Sequence, residues 1–129
     1  MQLAPRPQSP RAKVFIDKIK SQVQHVTAEE LIEQLAENPK LILIDVREAD
    51  EYKQGSLHNA IGISRGLLEW KIEDCAPDAD VPIVLYCGSG ARSSLAAFNL
   101  QEMGYSNVKS LVGGYKGWCA QGLPVTGLK

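Results

Sequence analysis

Apolar residues along the chain fall in short runs, and the spacing within the runs switches between strand-like and helix-like. Leu41 to Val46 and Pro82 to Tyr86 are nearly continuous apolar stretches, the first broken only by Asp45. Such runs predict parallel strands buried on both faces. Val23 to Val26, Ala60 to Ile63 and Val108 to Val112 predict further short strands. Between them the spacing is helical. Thr27-Ala28-Glu29-Glu30 has the form of a capping box, which starts a helix through Leu31, Ile32 and Leu35 that stops at Asn38-Pro39. Glu48 to Lys53 predicts a short helix or turn. Gly66 to Asp74 predicts a helix with Leu67, Leu68 and Trp70 as its apolar residues. Ala91 to Met103 predicts a longer one, with Leu95, Ala96, Phe98 and Leu100 toward a sheet and Gly104 as a left-handed stop. Gly113-Gly114 starts a last short helix containing Trp118, and Gly122-Leu123-Pro124 closes the chain's final turn.

Strands and helices alternate throughout. The pattern predicts an α/β three-layer sandwich: a central parallel sheet of about five strands with helices on both faces. Sites in such folds lie beyond the carboxyl ends of the strands. Ahead of this unit, Met1 to Gln8 is expected to be a disordered tail. Ser9-Pro10 is a cap followed by proline at the first helical position, and the helix should reach about Lys20. Val14, Phe15, Ile16 and Ile19 lie on or near one side of it, and Arg11, Lys13, Lys18 and Lys20 make the other side basic. A helix docked on its own domain, with solvated lysines, is favoured over a membrane-surface helix. The expected division is an extension at 1–22 and a single domain at 23–129.

Composition narrows the picture modestly. Hydrophobic residues make up 44% of 129, enough for a core without covalent staples. Fourteen basic residues against 15 acidic ones give a net charge of −1, which offers no footprint for nucleic acid. No segment predicts a membrane span. Cys75, Cys87 and Cys119 are odd in number and widely spaced. They match neither a disulfide framework nor a zinc site, so neither metal nor cofactor is expected, and a reducing cytoplasm is the expected setting.

The chemistry concentrates at one junction. The strand ending at Tyr86 runs straight into Cys87-Gly88-Ser89-Gly90-Ala91-Arg92-Ser93, and a helix starts near Ala91. A glycine-bearing loop of this kind can turn several N–H groups toward one point, and the helix adds its positive end. A thiol held there is expected as thiolate, the nucleophilic form. Arg92 adds a fixed positive charge with a fork suited to an oxyanion. The reading requires inward-facing amides and a thiol within reach of solvent.

Several motifs, in order, are similar to those of single-domain rhodaneses, which are sulfurtransferases. Leu43-Ile44-Asp45-Val46-Arg47-Glu48 with Glu51-Tyr52 resembles the family's first signature. Gly55 through Gly66, ending in Arg65-Gly66, resembles its second segment. Tyr86 to Ser93 resembles the active-site loop, and Gly113-Gly114, Trp118 and Gly122-Leu123-Pro124-Val125 resemble the last signature. The second segment departs from the family pattern: Ser56 stands where relatives carry histidine, and Ser64 where they carry proline.

The resemblance implies Cys87 as nucleophile, with the loop residues Gly88, Ser89, Gly90, Ala91, Arg92 and Ser93 binding substrate. It implies transfer of sulfane sulfur from a small donor such as thiosulfate, through a persulfide on Cys87, to cyanide, a small thiol or a protein thiol. Related phosphatases and arsenate reductases have one more residue before the arginine, whereas here four residues separate Cys87 from Arg92. A non-enzymatic persulfide carrier is the alternative from another class. Asp45, Arg47 and Arg65 are candidate supporting residues: the first two as a structural pair, Arg65 at the site mouth or on the open surface. His58 is expected in a turn. Cys119 is expected in or near the core and Cys75 at the surface.

Overall fold

The computed structural model describes residues 10–127. The expected tail and the Ser9 cap lie outside the described residues. Five strands form a parallel sheet in the order β1-β6-β5-β2-β4: β1 (Gln24–Val26), β2 (Ile42–Asp45), β4 (Ile61–Gly62), β5 (Ile83–Tyr86) and β6 (Val108–Leu111). Helices cover both faces: α1 (Pro10–Lys20), α2 (Ala28–Glu37), α3 (Ala49–Gln54), α4 (Leu68–Cys75), α5 (Ala91–Glu102) and α6 (Gly114–Ala120). The capping box at Thr27 forms as expected, with Thr27 Oγ1 accepting from the Glu30 amide and Glu30 accepting from the Thr27 amide. A second box at Glu48 and Glu51 starts α3, so the segment expected as a short helix or turn is a helix.

Alternation along the central strands sorts their side chains between two cores. Ile44, Val46, Ile83, Leu85 and Cys87 face α4 and α5, together with Ile72, Ala96 and Leu100. Leu43, Val84 and Tyr86 face the opposite layer, with Leu31, Leu57 and Trp118. A strand places successive side chains on opposite faces, so Cys87 continues the row of Ile83 and Leu85 and points toward α5.

Three features depart from the pattern read along the chain. Ser56–Leu57 (β3) pairs antiparallel with Val125–Thr126 (β7) in a separate ribbon. Two-residue strands carry no periodicity, so nothing local announces them. The helix expected from Gly66 begins instead as a 3-10 turn at Arg65–Leu67 and becomes α4 at Leu68. Leu68 is buried, while Leu67 and Trp70 are exposed. On α1, only Ile19 is buried and Ile16 half-buried, against α5; Val14 and Phe15 face solvent. Phe15 and Ile16 each lie one turn before Ile19, Phe15 at the solvent rim of that face, and Val14 falls to the other side.

The Asp45–Arg47 pair is buried, as its place at the end of β2 predicts. Asp45 is 0% and Arg47 6% exposed. Arg47 donates through Nε and Nη2 to the carboxylate at 3.1 and 2.8 Å, and its own amide donates to Oδ1 at 2.8 Å. Removing one member leaves the other charged and buried. Asp45→Ala is expected to lower stability by about 3–5 kcal/mol in a urea unfolding titration. A loss under about 1 kcal/mol would show that the pair holds nothing in place.

Candidate active site

Cys87 lies at the carboxyl end of β5, and the loop after it delivers the chain to the first turn of α5. Its Sγ accepts hydrogen bonds from the amides of Gly90 at 3.1 Å and Ser93 at 3.4 Å. The Ser93 hydroxyl stands 3.6 Å away. Gly90 has φ +123°, a left-handed conformation that side-chain-bearing residues rarely adopt. Burial opposes ionisation of the thiol. The Ser93 hydroxyl and the amides of Ser93, Gly90 and Ser89 outweigh it, and the Cys87 pKa falls below its ordinary value. Among residues 88–93, Gly90 and Ser93 supply the amide hydrogen bonds to sulfur.

The loop's carbonyls are engaged outward. The Cys87 carbonyl accepts from the Tyr115 amide at 2.7 Å and that of Gly88 from the Lys116 amide at 3.0 Å, both in the first turn of α6. The Gly90 carbonyl accepts from Ser94 N at 3.1 Å and Ser94 Oγ at 2.7 Å, and Ser93 Oγ lies 3.2 Å from it. Gly114 makes this packing possible. A Cβ there would lie 2.5 Å from the Cys87 carbonyl oxygen and 2.8 Å from that of Gly88. Its φ of +56° adds a second reason for glycine.

Arg92 does not stand free for a substrate. Its Nη1 donates to Glu51 Oε1 at 3.0 Å and its Nη2 lies 3.5 Å from Oε2. Glu51 is the first cause of a raised Arg92 pKa, and the negative charge of Cys87 adds to it. Arg92 conversely lowers the Glu51 pKa. Cys87 itself is only 1% exposed, contrary to the accessible thiol the sequence reading requires. The same closure that brings amides onto sulfur removes it from water.

The supporting residues divide. Asp45 and Arg47 lie on the far face of the sheet, yet Arg47 connects to the loop. Its guanidinium sits 4.0 Å from the Tyr115 ring centre, and the Tyr115 amide holds the Cys87 carbonyl. Arg65 does not join this group. It pairs with Glu69 at 2.8 Å and lines a cavity with Phe15, Lys18 and Phe98 between α1 and α5. Glu51, Ser94, Ser110 and Tyr115 were not singled out as site residues by the sequence reading. The Glu51-Tyr52 motif was the available signal for Glu51. Nothing local marks Ser110, which meets the Ser93 hydroxyl at 2.8 Å across 17 residues of chain. Cys75 is half-buried and Cys119 exposed, the reverse of their expected order, because α4 packs Cys75 against the core while α6 turns Cys119 outward. Among the described residues no helix is long and apolar enough to cross a membrane, and no cluster of side chains could hold a metal ion.

Residues 27–121 match the rhodanese-like domain family. The chain belongs to that family. It is 35% identical over 103 residues to a sulfurtransferase of Allochromatium vinosum, covering 80% of this chain and 94% of that protein. It is 32% identical over 99 residues to the thiosulfate sulfurtransferase GlpE of Coxiella burnetii, covering 77% and 87%. The solution structure of the polysulfide-sulfur transferase homodimer from Wolinella succinogenes superposes with a TM-score of 0.77 at 32% identity, covering 88% of this chain and 85% of that one.

Two outcomes test the geometry. The rate of Cys87 alkylation by iodoacetamide rises with pH through the thiolate fraction, so its midpoint should lie below that of an ordinary thiol. Ser93→Ala removes the largest stabilising group and should move that midpoint upward; an unmoved midpoint would leave the hydroxyl without a role. Glu51→Gln releases the clamp on Arg92 and should speed alkylation at fixed pH by about two- to fivefold, the range of a partly exposed ion pair. Mass spectrometry of the Cys87 peptide reads both.

Proposed function

We propose that the protein transfers sulfane sulfur through a persulfide on Cys87, with thiosulfate as a competent donor. The observation that carries this reading is the pair of amide hydrogen bonds from Gly90 and Ser93 to one sulfur atom in a loop too short to cradle more. The thiolate attacks the outer sulfur of the donor. A bond forms to Sγ, the donor's sulfur–sulfur bond breaks, and sulfite leaves with the electron pair. A thiophilic acceptor then takes the outer sulfur and returns Cys87 to thiolate. Dividing the transfer in this way is covalent catalysis, with ping-pong kinetics as its signature.

The loop's residues have separate tasks in this scheme. Gly90, Ser93 and Ser89 hold negative charge on the resting thiolate and then on the persulfide. Gly88 and Ala91 keep the turn narrow. Arg92 leaves Glu51 to meet the anionic donor or the departing sulfite, and this exchange opens the way to the buried sulfur. Asp45 and Arg47 act as positioning residues through Tyr115. Three unpaired thiols suit a reducing compartment, where Cys87 stays available.

Relatives that carry the names sulfurtransferase and thiosulfate sulfurtransferase support the reading. The decisive measurement is the intact mass of the purified protein after thiosulfate treatment. A gain of one sulfur atom is expected, absent in Cys87→Ser, followed by thiocyanate release when cyanide is added. Stable sulfur loading without release would identify a carrier. An unchanged mass under thiosulfate and polysulfide alike would overturn sulfur transfer at Cys87.

A further inference from the structure

Ser110 places a hydroxyl on a face of the sheet that is otherwise apolar. It stands on β6 opposite Leu85 of β5 in the parallel register. Val108, two residues before it, belongs with Leu85 and Cys87 to the core beneath α5. Side chains two apart on a strand share a face, so Ser110 points the same way as those three. It is 1% exposed. A hydroxyl buried there without a partner would be costly. Its side-chain partner among the described residues is Ser93 Oγ, at 2.8 Å, in the first turn of α5.

Counting protons fixes the direction of that bond. Each of the two hydroxyl oxygens has one proton to give and two lone pairs to accept with. Three acceptors compete for the Ser93 proton: Cys87 Sγ at 3.6 Å, the Gly90 carbonyl at 3.2 Å and Ser110 Oγ. The Gly90 carbonyl already takes the Ser94 amide and the Ser94 hydroxyl, one for each of its lone pairs. If Ser93 donated to Ser110, the Ser110 proton would have no other acceptor among the described residues, and the sulfur would lose a donor. If Ser110 donates to Ser93, both protons are used, the second of them on sulfur. A hydroxyl that accepts one hydrogen bond also donates a stronger one, because each bond polarises the next.

We infer that Ser110 is a positioning residue for Cys87: it donates to the Ser93 hydroxyl and so directs the Ser93 proton onto the sulfur. The inference deepens the sulfur-transfer reading, on which its part in catalysis rests. A thiol would need an acceptor at Ser93, whereas the relay presents a donor, so it favours the thiolate. The charged and titratable groups near the sulfur are Arg92 on α5, Glu51 on α3 through Arg92, Tyr115 on α6, and Lys20 and His25 where they border Ser89 and Gly90. Tyr86, Lys109 and the Asp45–Arg47 pair fall on the other face of the sheet. Among the described residues none of these groups bonds the Ser93 or Ser110 hydroxyl, so replacing Ser110 leaves their charges in place.

The test reads the pH profile of Cys87 alkylation by iodoacetamide in the full-length protein, followed on the Cys87 peptide by mass spectrometry. Access to the thiol scales the rate at every pH and leaves the midpoint where it is, so the midpoint reports the hydrogen bonds to sulfur. Ser110→Ala should raise the midpoint by about 0.3–0.6 pH units, a reaction about two- to fourfold slower below it, the scale of one hydrogen bond strengthened by its neighbour. Ser110→Thr keeps the hydroxyl and should keep the wild-type midpoint. In a Ser93→Ala background, Ser110→Ala should add no further shift, because the relay has lost its middle member. A midpoint that falls in Ser110→Ala means that Ser93 donates to Ser110, and overturns the inference. So does an unmoved midpoint, an equal rise in Ser110→Thr, or a full-sized shift in the Ser93→Ala background. Sulfur loading by thiosulfate, read as intact mass, runs beside it. Loading of the wild type with an unmoved Ser110→Ala midpoint removes the relay and leaves sulfur transfer standing. An upward shift in a protein that takes up no sulfur upholds the relay and overturns the sulfur-transfer reading.

Discussion

The first turn of α6 holds the carbonyls of Cys87 and Gly88, and the direction of those two bonds decides the character of the Cys87 loop. A trans peptide unit is planar, so its carbonyl and amide point opposite ways. Fixing the Gly88 carbonyl outward turns the Ser89 amide toward the sulfur. The Gly90 carbonyl, bound by the amide and hydroxyl of Ser94, is kept outward in the same sense. The loop therefore favours an anion at its centre before any substrate arrives. Gly114 is the condition for this arrangement, since any side chain would occupy the space of the two carbonyl oxygens.

A chain of contacts anchors α6 from the opposite face of the sheet. Asp45 orients Arg47, Arg47 packs on the Tyr115 ring, and the Tyr115 amide holds the Cys87 carbonyl. Tyr86 braces the same layer by accepting the Leu57 amide at 3.0 Å through its hydroxyl. The buried ion pair thus stands one residue from the Cys87 loop without facing it. Such a pair contributes little net free energy by itself, but it penalises every arrangement in which its partners separate.

Closure and reactivity oppose each other at Cys87. Burial disfavours the thiolate, and only the converging amides and the Ser93 hydroxyl reverse the balance. The same burial excludes water, which strengthens those hydrogen bonds. The Arg92–Glu51 pair occupies the border between the two requirements. Both side chains are more than a third exposed, so their bond is a weak one.

Much of this was legible in the chain. The apolar runs at 41–46 and 82–86 are long enough to mark buried parallel strands, and the cap at Thr27 and the stop at Gly104 bound their helices by local chemistry. Strand parity even follows from counting, since Cys87 must share a face with Leu85. The loop's sequence singled out Cys87 as the candidate thiol because cysteine, glycine and arginine in that order have few structural uses. Tertiary structure alone decided the partners. Glu51 meets Arg92 across 41 residues, Ser110 meets Ser93 across 17, and α1 docks on α5. It also decided that Arg65 turns to Glu69 and that the thiol is covered. Local pattern encodes φ, ψ and which face is apolar; it carries no information about which distant polar groups will share one end of the sheet, because that follows from how the layers pack.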